Sequence, residues 1–165
     1  MKTDIILCGV GGQGILSIAT VIGEAAMNEN LYIKQAEVHG MSQRGGDVQS
    51  NLRISSNPIN SDLIAKGCAD VIISMEPMEA LRYLPYLSKD GWIITSSTPF
   101  VNIPNYPDID TINADLDRLP NVIRIDIESM PSLKTPSDAC SAVRAMPWWR
   151  PISRRSHWAR LFRNR

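Results

Sequence analysis

The distribution of apolar and polar residues at the start of the chain predicts a strand, a helix and a second strand. Residues 4–10 (DIILCGV) form a continuous apolar run that ends at glycine, as a buried parallel strand does. Residues 14–30 place apolar and small side chains at helical spacing and end in Asn-Glu-Asn, and residues 31–37 are again extended in pattern. This order predicts a right-handed crossover between parallel strands.

Strands and helices continue to alternate in the rest of the domain. Residues 48–55 alternate apolar and polar side chains, as a half-buried strand does, and residues 69–76 and 91–97 are apolar runs. Residues 77–91 begin with proline at a first helical position and end in Asp-Gly, which predicts a helix. A last strand is predicted at residues 122–127, after a proline-rich loop. The fold class is therefore α/β, a single Rossmann-like domain with a mostly parallel central sheet flanked by helices.

A glycine motif of the form G-x-G-x-x-G joins the first predicted strand to the first helix. Glycines permit a tight turn and let backbone N–H groups face an anion at the helix N-terminus. Glu37 ends the second strand about where an acid would bind a ribose hydroxyl. The alternative is that the glycines only allow close packing of strand and helix. The candidate cofactor-binding residues of this turn are Gly9, Gly11, Gly12, Gln13 and Gly14.

A polar, glycine-rich loop with an arginine, HGMSQRGG at residues 39–46, follows the second strand. Two consecutive glycines would permit positive φ or close approach of another backbone. The arginine offers a rigid fork of donors for a carboxylate, a phosphate or the carbonyls of a partner. The alternative is a solvated turn with a surface arginine. The candidate residues of a loop near a partner or an active site are Glu37, His39, Gln43, Arg44, Gly45 and Gly46.

Composition limits the chemistry that the chain can carry. The 165 residues are 44% hydrophobic with zero formal net charge, which is typical of a globular domain. No apolar run approaches the ~18 residues of a membrane span, and the N-terminus lacks the longer apolar core of a signal peptide. Cys8, Cys68 and Cys140 are far apart and form no C-x-x-C. This argues against a zinc site, an iron–sulfur site carried by this chain and a secreted disulfide scaffold, so no metal-binding residues are predicted and the compartment is expected to be reducing and cytoplasmic. Cys8 is predicted to be a small buried hydrophobe.

The two loops together resemble the gamma-type subunit or domain of the 2-oxoacid:ferredoxin oxidoreductases. The resemblance is carried by GVGGQGILS, by EVHGMSQRGGDVQSNLRIS, and by residues 69–97 with their Glu-Pro-x-Glu-Ala-Leu helix start. The form His-Gly-Met-x-Gln-Arg-Gly-Gly is most similar to the small (beta) subunits of indolepyruvate:ferredoxin oxidoreductases. The resemblance covers about residues 3–128.

The resemblance implies a role within a larger enzyme. Such complexes decarboxylate a 2-oxo acid on thiamine diphosphate, pass electrons through iron–sulfur clusters to ferredoxin, and form an acyl-CoA. The thiamine and cluster sites are implied to lie in a large partner subunit, so this chain would bind no cofactor firmly, hold no catalytic residue and be inactive alone. The Arg44 loop would face that partner, and the glycine loop would serve packing or a phosphate-bearing ligand such as coenzyme A. A homo-oligomer and, as an alternative function, a self-contained NAD(P)-binding Rossmann protein stay open.

Residues 131–165 break the pattern, so we divide the chain into a gamma-type domain, 1–130, and an atypical tail. Residues 1–130 contain nine Lys and Arg against 16 Asp and Glu. The tail, residues 131–165, contains eight Lys and Arg against one acidic residue, and three of the four tryptophans. Pro147 and Pro151 would interrupt a helix. Three interpretations are a shifted reading frame that converts a small-apolar helix into PWWRPISRRSHW, a divergent tail that docks on a partner, and a basic arm for nucleic acid or anionic membrane. We favour the shifted reading frame, which predicts a poorly ordered or atypically packed C-terminus. We accordingly expect this chain to bind neither nucleic acid nor a membrane.

Overall fold

The computed structural model describes residues 1–39, 45–101 and 103–126, and within them helices separate the strands except where three strands follow one another directly. The elements are β1 Lys2–Val10, α1 Ile15–Asn28, β2 Tyr32–His39, β3 Asp47–Ser55, β4 Ala69–Ser74, α2 Pro77–Arg82, a 3-10 helix Leu84–Tyr86, β5 Leu87–Ser96, α3 Ile109–Asp117 and β6 Val122–Ile125. The predicted tail, its predicted packing and the boundary at residue 130 lie outside the described residues.

The six strands form one sheet in the order β2-β3-β1-β4-β5-β6. β1, β4, β5 and β6 are joined by parallel pairings. β3 pairs antiparallel with both β1 and β2, so it alone among the described strands runs in the opposite direction. The predicted α/β fold with a mostly parallel sheet is confirmed.

The predicted crossover does connect parallel strands, but β1 and β2 are not neighbours, because β3 lies between them. The burial of side chains explains this order. Leu52 on β3 is fully buried and Ile54 is 7% exposed, whereas Tyr32 and Val38 on β2 are each about half exposed. β2 therefore takes the edge of the sheet, and β3 takes the inner position.

Residues 77–91 form less helix than predicted. α2 ends at Arg82, and Pro85 lies in the 3-10 turn that follows it. Proline has no N–H to donate and its ring clashes with the carbonyl four residues earlier, so a helix cannot continue through this position. β5 consequently begins at Leu87 rather than at Gly91. The prediction of a helix up to Gly91 was wrong for this reason.

Helix α3 was not predicted from the sequence. Only Ile112 and Leu116 of this helix are buried, and most of its other side chains are polar. Two apolar positions four residues apart give a weak periodic signal after a proline-rich segment. Both residues pack against the sheet because they lie on one face of the helix.

The helices α2 and α3 cover the core that lies beneath the candidate site. Ile6, Ile72 and Ile93 occupy paired positions on three neighbouring strands and are fully buried. Residues from both helices complete this cluster, which also contains Cys8. The prediction that Cys8 is a buried hydrophobe is confirmed, since it has no exposed surface. None of the described helices is both long and apolar enough to cross a membrane.

Candidate functional site

The candidate site lies where β1 and β4 end side by side. From β1 the chain crosses to one half of the sheet, and from β4 it crosses to the other half. Such a switch in direction opens a crevice beyond the carboxyl ends of the strands, where open α/β sheets bind ligands. The glycine loop after β1 and the start of α2 after β4 both lie at this edge.

Gln13 fills the inside of the glycine loop. Its side-chain Oε1 accepts a hydrogen bond from Val10 N at 2.8 Å, and its Nε2 donates to the carbonyl of Met75 at 3.4 Å. The side chain thus bridges the ends of β1 and β4. A Cβ at Gly9 would lie 2.8 Å from Gln13 Oε1 and from Ile15 Cδ1, so Gly9 is required for this close packing. Gln13 and Gly9 therefore both stabilise the shape of the glycine loop.

Gly12 and Gly14 form the open side of the same loop. Their φ angles are 101° and 81°, in the left-handed region that favours glycine, and a Cβ at either would have no heavy atom within 4 Å. Gly14 caps α1, whose N-terminus has no side-chain cap and no acidic residue in its first turn. No described residue accepts a hydrogen bond from the N–H of Gly12 or Gly14. This end of α1 therefore has the chemistry that suits an anion.

Gly11 joins the glycine loop to the second predicted loop. Its N–H donates to the carbonyl oxygen of Gly46 at 2.8 Å, and its own carbonyl accepts from Gly45 N at 3.4 Å. Gly45 has a φ of 79°, which explains the glycine at that position. The structure thus brings part of both predicted motifs together. Gln43 and Arg44 lie outside the described residues, and only the backbone of His39 is described, at the end of β2.

Glu37 does not lie beside the glycine loop. It is exposed on β2, where its Oε1 accepts a hydrogen bond from Gln35 Nε2 at 2.7 Å. Because β3 separates β2 from β1, Glu37 is two strand spacings, roughly 9–10 Å, from the strand that carries the glycine motif. The expectation that this acid binds a ribose hydroxyl assumed neighbouring strands, so the arrangement gives no support to an NAD(P) site.

A buried acidic group at the start of α2 was not among the predicted site residues. Glu76 has no exposed surface and caps α2, because its Oε2 accepts from Glu79 N at 3.0 Å. Its Oε1 accepts a hydrogen bond from the hydroxyl of Tyr106. Burial, and then this hydrogen bond, raise the pKa of Tyr106 above its ordinary value. The sequence signal was the Glu-Pro-x-Glu string, which puts two acids directly after a buried strand.

The second acid of that string, Glu79, meets residues from two other elements. Burial raises the pKa of Glu79 to about 7, Arg82 opposes this rise, and the nearby Asp47 adds to it. Asp47 accepts a hydrogen bond from Tyr83 Oη at 2.7 Å, and the Cys8 thiol donates to the carbonyl of Glu79 at 3.8 Å. Burial raises the pKa of Cys8, so its thiol stays protonated and unreactive.

The described residues contain no group of three or more His, Cys, Asp or Glu side chains that could hold a metal ion. The two described cysteines are separate, Cys8 buried and Cys68 exposed. The described residues at this edge therefore include backbone N–H groups without an acceptor and a buried acidic group.

Comparison with known proteins places this arrangement in context. The family described as pyruvate ferredoxin/flavodoxin oxidoreductase matches residues 4–132. The indolepyruvate oxidoreductase subunit IorB of Methanothermobacter thermautotrophicus is 38% identical over 130 residues, which cover 75% of this chain and 65% of that protein. The subunit of the same name from Thermococcus kodakarensis is 41% identical over 113 residues, or 65% of this chain and 55% of that protein. The chain thus spans less than two thirds of the length of these relatives.

Solved structures show the same fold. Pyruvate oxidoreductase subunit PORC of Thermotoga maritima superposes with a TM-score of 0.55 at 18% identity, over 76% of this chain and 62% of that one. The 2-oxoglutarate:ferredoxin oxidoreductase of Magnetococcus marinus gives a TM-score of 0.54 at 17% identity, over 74% of this chain and 19% of that one.

Proposed function

The chain belongs to the pyruvate ferredoxin/flavodoxin oxidoreductase family, and from this premise we propose that it is the small subunit of a 2-oxoacid:ferredoxin oxidoreductase of the indolepyruvate type. The observation that carries the proposal is the backbone junction of Gly11 with Gly45 and Gly46. It joins the two motifs that the resemblance to this enzyme rests on into one surface at the ligand edge of the sheet. A junction of this kind suits a subunit that completes a site shared with a partner.

The proposed complex converts an aryl 2-oxo acid such as indolepyruvate, with coenzyme A, into an acyl-CoA and CO₂. Two electrons leave the substrate in this step and pass to two molecules of ferredoxin. Thiamine diphosphate would supply the decarboxylation chemistry and iron–sulfur clusters the electron path, both held mainly by the large partner subunit. The described residues of this chain do not fit a cluster, because Cys8 and Cys68 are single cysteines.

Coenzyme A is the ligand that the described residues could contact. The N–H groups of Gly12 and Gly14 have no acceptor within the described ranges and lie at the uncapped N-terminus of α1. A phosphate group of coenzyme A would suit such donors, because its negative charge is favoured at a helix N-terminus. In this proposal Gly9, Gly11 and Gln13 hold the loop in shape, while Gly12 and Gly14 are the residues that bind.

The loop near the partner comprises Glu37, His39, Gln43, Arg44, Gly45 and Gly46 in this proposal. Gly45 and Gly46 are fixed against Gly11, so the loop has a firm anchor at one end. An arginine on an anchored loop can bind a carboxylate, a phosphate or backbone carbonyls of a partner with two donors at once. We propose Arg44 for that task.

The test is a 2-oxo acid-dependent dye reduction assay after anaerobic co-expression of this chain with the large thiamine and iron–sulfur subunit from the same source. Indolepyruvate and other 2-oxo acids are supplied with coenzyme A. We expect the two chains to co-purify and activity to require both of them, with each chain alone as the control. If the chains neither co-purify nor show activity, the assay is repeated with residues 131–165 replaced by the sequence of the restored reading frame. Failure of this second assay as well would show that the proposed function is wrong.

A further inference from the structure

We infer that Asp47 and Glu79 share a proton, and that this shared proton positions the start of β3 against the glycine loop. The junction of the two loops is then firm while Glu79 is neutral and loosens when Glu79 ionises. The inference gives a task to the second glutamate of the Glu-Pro-x-Glu string. It concerns this chain alone and does not depend on the proposed function.

The first observation is that two buried carboxylate oxygens make no hydrogen bond within the described part of the chain. Asp47 uses Oδ2 to accept from Tyr83, but its Oδ1 is buried and has no hydrogen-bond partner among the described residues. Glu79 Oε2 is in the same situation. Arg82 Nε lies 3.0 Å from that oxygen as an ion pair, yet no hydrogen bond forms, and about half of the Arg82 side chain is in solvent.

A single proton on Glu79 would remove the repulsion between the two carboxyl groups and form a hydrogen bond between them. Asp47 acts on Glu79 through a side-chain hydrogen bond as well as through its charge. Two ionised carboxylates in such contact would repel each other, which is costly. A protonated Glu79 instead becomes a donor, and the carboxylate of Asp47 becomes its acceptor. Other enzymes hold one proton between two neighbouring carboxyl groups for the same reason.

The surroundings of Glu79 favour the neutral form. The groups that act on it are Arg82 and Glu76 from α2, and Asp47 from β3. The hydroxyl groups of Tyr83 and Tyr106 and the thiol of Cys8 also face this acidic group, and all three stay protonated near neutral pH. Among these groups only Arg82 carries a positive charge, and its exposure to solvent weakens its effect. Burial and the two acids outweigh it, so the pKa of Glu79 rises to about 7.

Asp47 transmits the state of the proton to the loops through the backbone. It directly follows Gly46 and pairs with Val10 at the last rung of the β1–β3 ladder. Gly46 O accepts the N–H of Gly11 one step beyond that rung. Repulsion between Asp47 and an ionised Glu79 would therefore displace the residue next to this contact. Protection of the Gly11 amide from hydrogen exchange reports whether the contact is intact.

The experiment is an NMR titration of the full-length chain between pH 5 and 8.5, with isotopically labelled glutamate carboxyl groups and backbone amides. We expect the Glu79 carboxyl signal to titrate with a midpoint near 7. The protection factor of the Gly11 amide, corrected for intrinsic exchange, should fall over the same pH range. A midpoint near the ordinary value of 4.5, or a Gly11 amide that does not respond while Glu79 titrates, would overturn the inference.

Two variants sharpen the test. Glu79→Gln keeps a neutral donor and should leave Gly11 protected at every pH, with loss of the pH dependence. Asp47→Asn removes the neighbouring charge and should shift the Glu79 midpoint to lower pH. Glu24→Gln, on α1 and outside this acidic group, is the matched control and should change neither signal. If a variant does not fold, the wild-type titration alone still decides the outcome.

Discussion

The backbone N–H of Gly11 donates to the carbonyl oxygen of Gly46 across 2.8 Å, and this contact joins two motifs that are far apart in the sequence. It extends the antiparallel ladder of β1 and β3 by one step beyond the pair of Val10 and Asp47. The glycine loop is therefore supported from both sides, by Gln13 toward β4 and by Gly46 toward β3. Contacts within the protein therefore hold the shape of this loop.

The support by Gln13 predicts that Gly9→Ala destabilises the chain. The added Cβ would lie 2.8 Å from both Gln13 Oε1 and Ile15 Cδ1 and 3.2 Å from Met75 Cβ, so the side chains of Gln13 and Ile15 must move and the Gln13 bridge is disturbed. Overpacking of this kind costs about 1–3 kcal/mol of unfolding free energy, measured by urea denaturation. The matched control is Gly23→Ala within α1, where a Cβ meets nothing within 4 Å. That change should stabilise the chain by about 0.5–1 kcal/mol, because alanine is the better helix former. Equal effects of the two changes would contradict this account.

Arg53→Ala is predicted to destabilise the chain, at the end of β1 that is far from the glycine loop. Arg53 donates to both carboxylate oxygens of Asp4, at 2.8 and 3.1 Å, and to the carbonyls of Ser61 and Leu63. Asp4 is 1% exposed, so its charge would lose its main partner, which costs about 3–5 kcal/mol. Lys2 also contacts Asp4, but its side chain is largely in solvent and cannot replace the fork of donors. Chemical denaturation measures the loss.

The control for this effect is Arg118→Ala. Arg118 pairs with Asp115 at 2.8 Å, but both side chains are solvent-exposed, 78% and 46% respectively. Exposed pairs of this kind contribute about 0–1 kcal/mol. A loss at Arg53 no larger than the loss at Arg118 would show that Asp4 finds other partners.

The buried Glu79 predicts that stability falls as the pH rises toward neutrality. Its pKa is about 7 in the folded chain against an ordinary value of 4.5, so the folded state holds a proton that the unfolded state loses between these values. Stability from this group is therefore highest below pH 4.5, decreases up to pH 7 and is constant above it. The full effect is up to about 3 kcal/mol. Urea denaturation at several pH values, compared between the wild type and Glu79→Gln, isolates it. A wild type and a variant with parallel pH profiles would refute the assignment.

Tyr106→Phe is predicted to destabilise the chain through Glu76. The tyrosine hydroxyl donates to Oε1 of a carboxylate with no exposed surface. Loss of this hydrogen bond leaves a buried carboxyl oxygen without its donor, which costs about 1–3 kcal/mol and would show in thermal or urea denaturation. Tyr86→Phe is the matched control, because no described residue is hydrogen-bonded to the Tyr86 hydroxyl, and it should change stability little. No loss of stability in Tyr106→Phe would show that this hydrogen bond does not stabilise the fold.

Local patterns in the sequence were enough to predict the strands, the first helix and the glycine turn. Those features depend on neighbouring residues, such as the apolar run of β1 and the glycines that follow it. The place of β3 between β1 and β2 depends on pairings between distant residues, for which the alternating pattern holds no signal. The error about Glu37 followed directly from that missing information.

The acidic group illustrates the same limit in the site. Glu76 and Glu79 are visible in the sequence as two acids around a proline, a pattern that also fits a solvated helix start. Their partners Tyr106 and Asp47 lie about 30 residues away along the chain in either direction. Only the fold brings them together, so neither the burial of the acids nor the raised pKa of Glu79 could be inferred beforehand.

Arg44→Ala is predicted to weaken assembly with the large subunit or turnover of the complex, while the chain itself stays folded. Arg44 lies two residues from Gly46, whose contact with Gly11 uses backbone atoms only and is independent of the arginine side chain. The change should therefore leave the urea midpoint of the isolated chain unaltered, and reduce co-purification or 2-oxo acid-dependent dye reduction. Arg118→Ala, which removes an exposed arginine just after α3, is the control and should reduce neither. Full assembly and activity of the Arg44→Ala complex would remove the proposed role of this loop, even if the subunit assignment itself held.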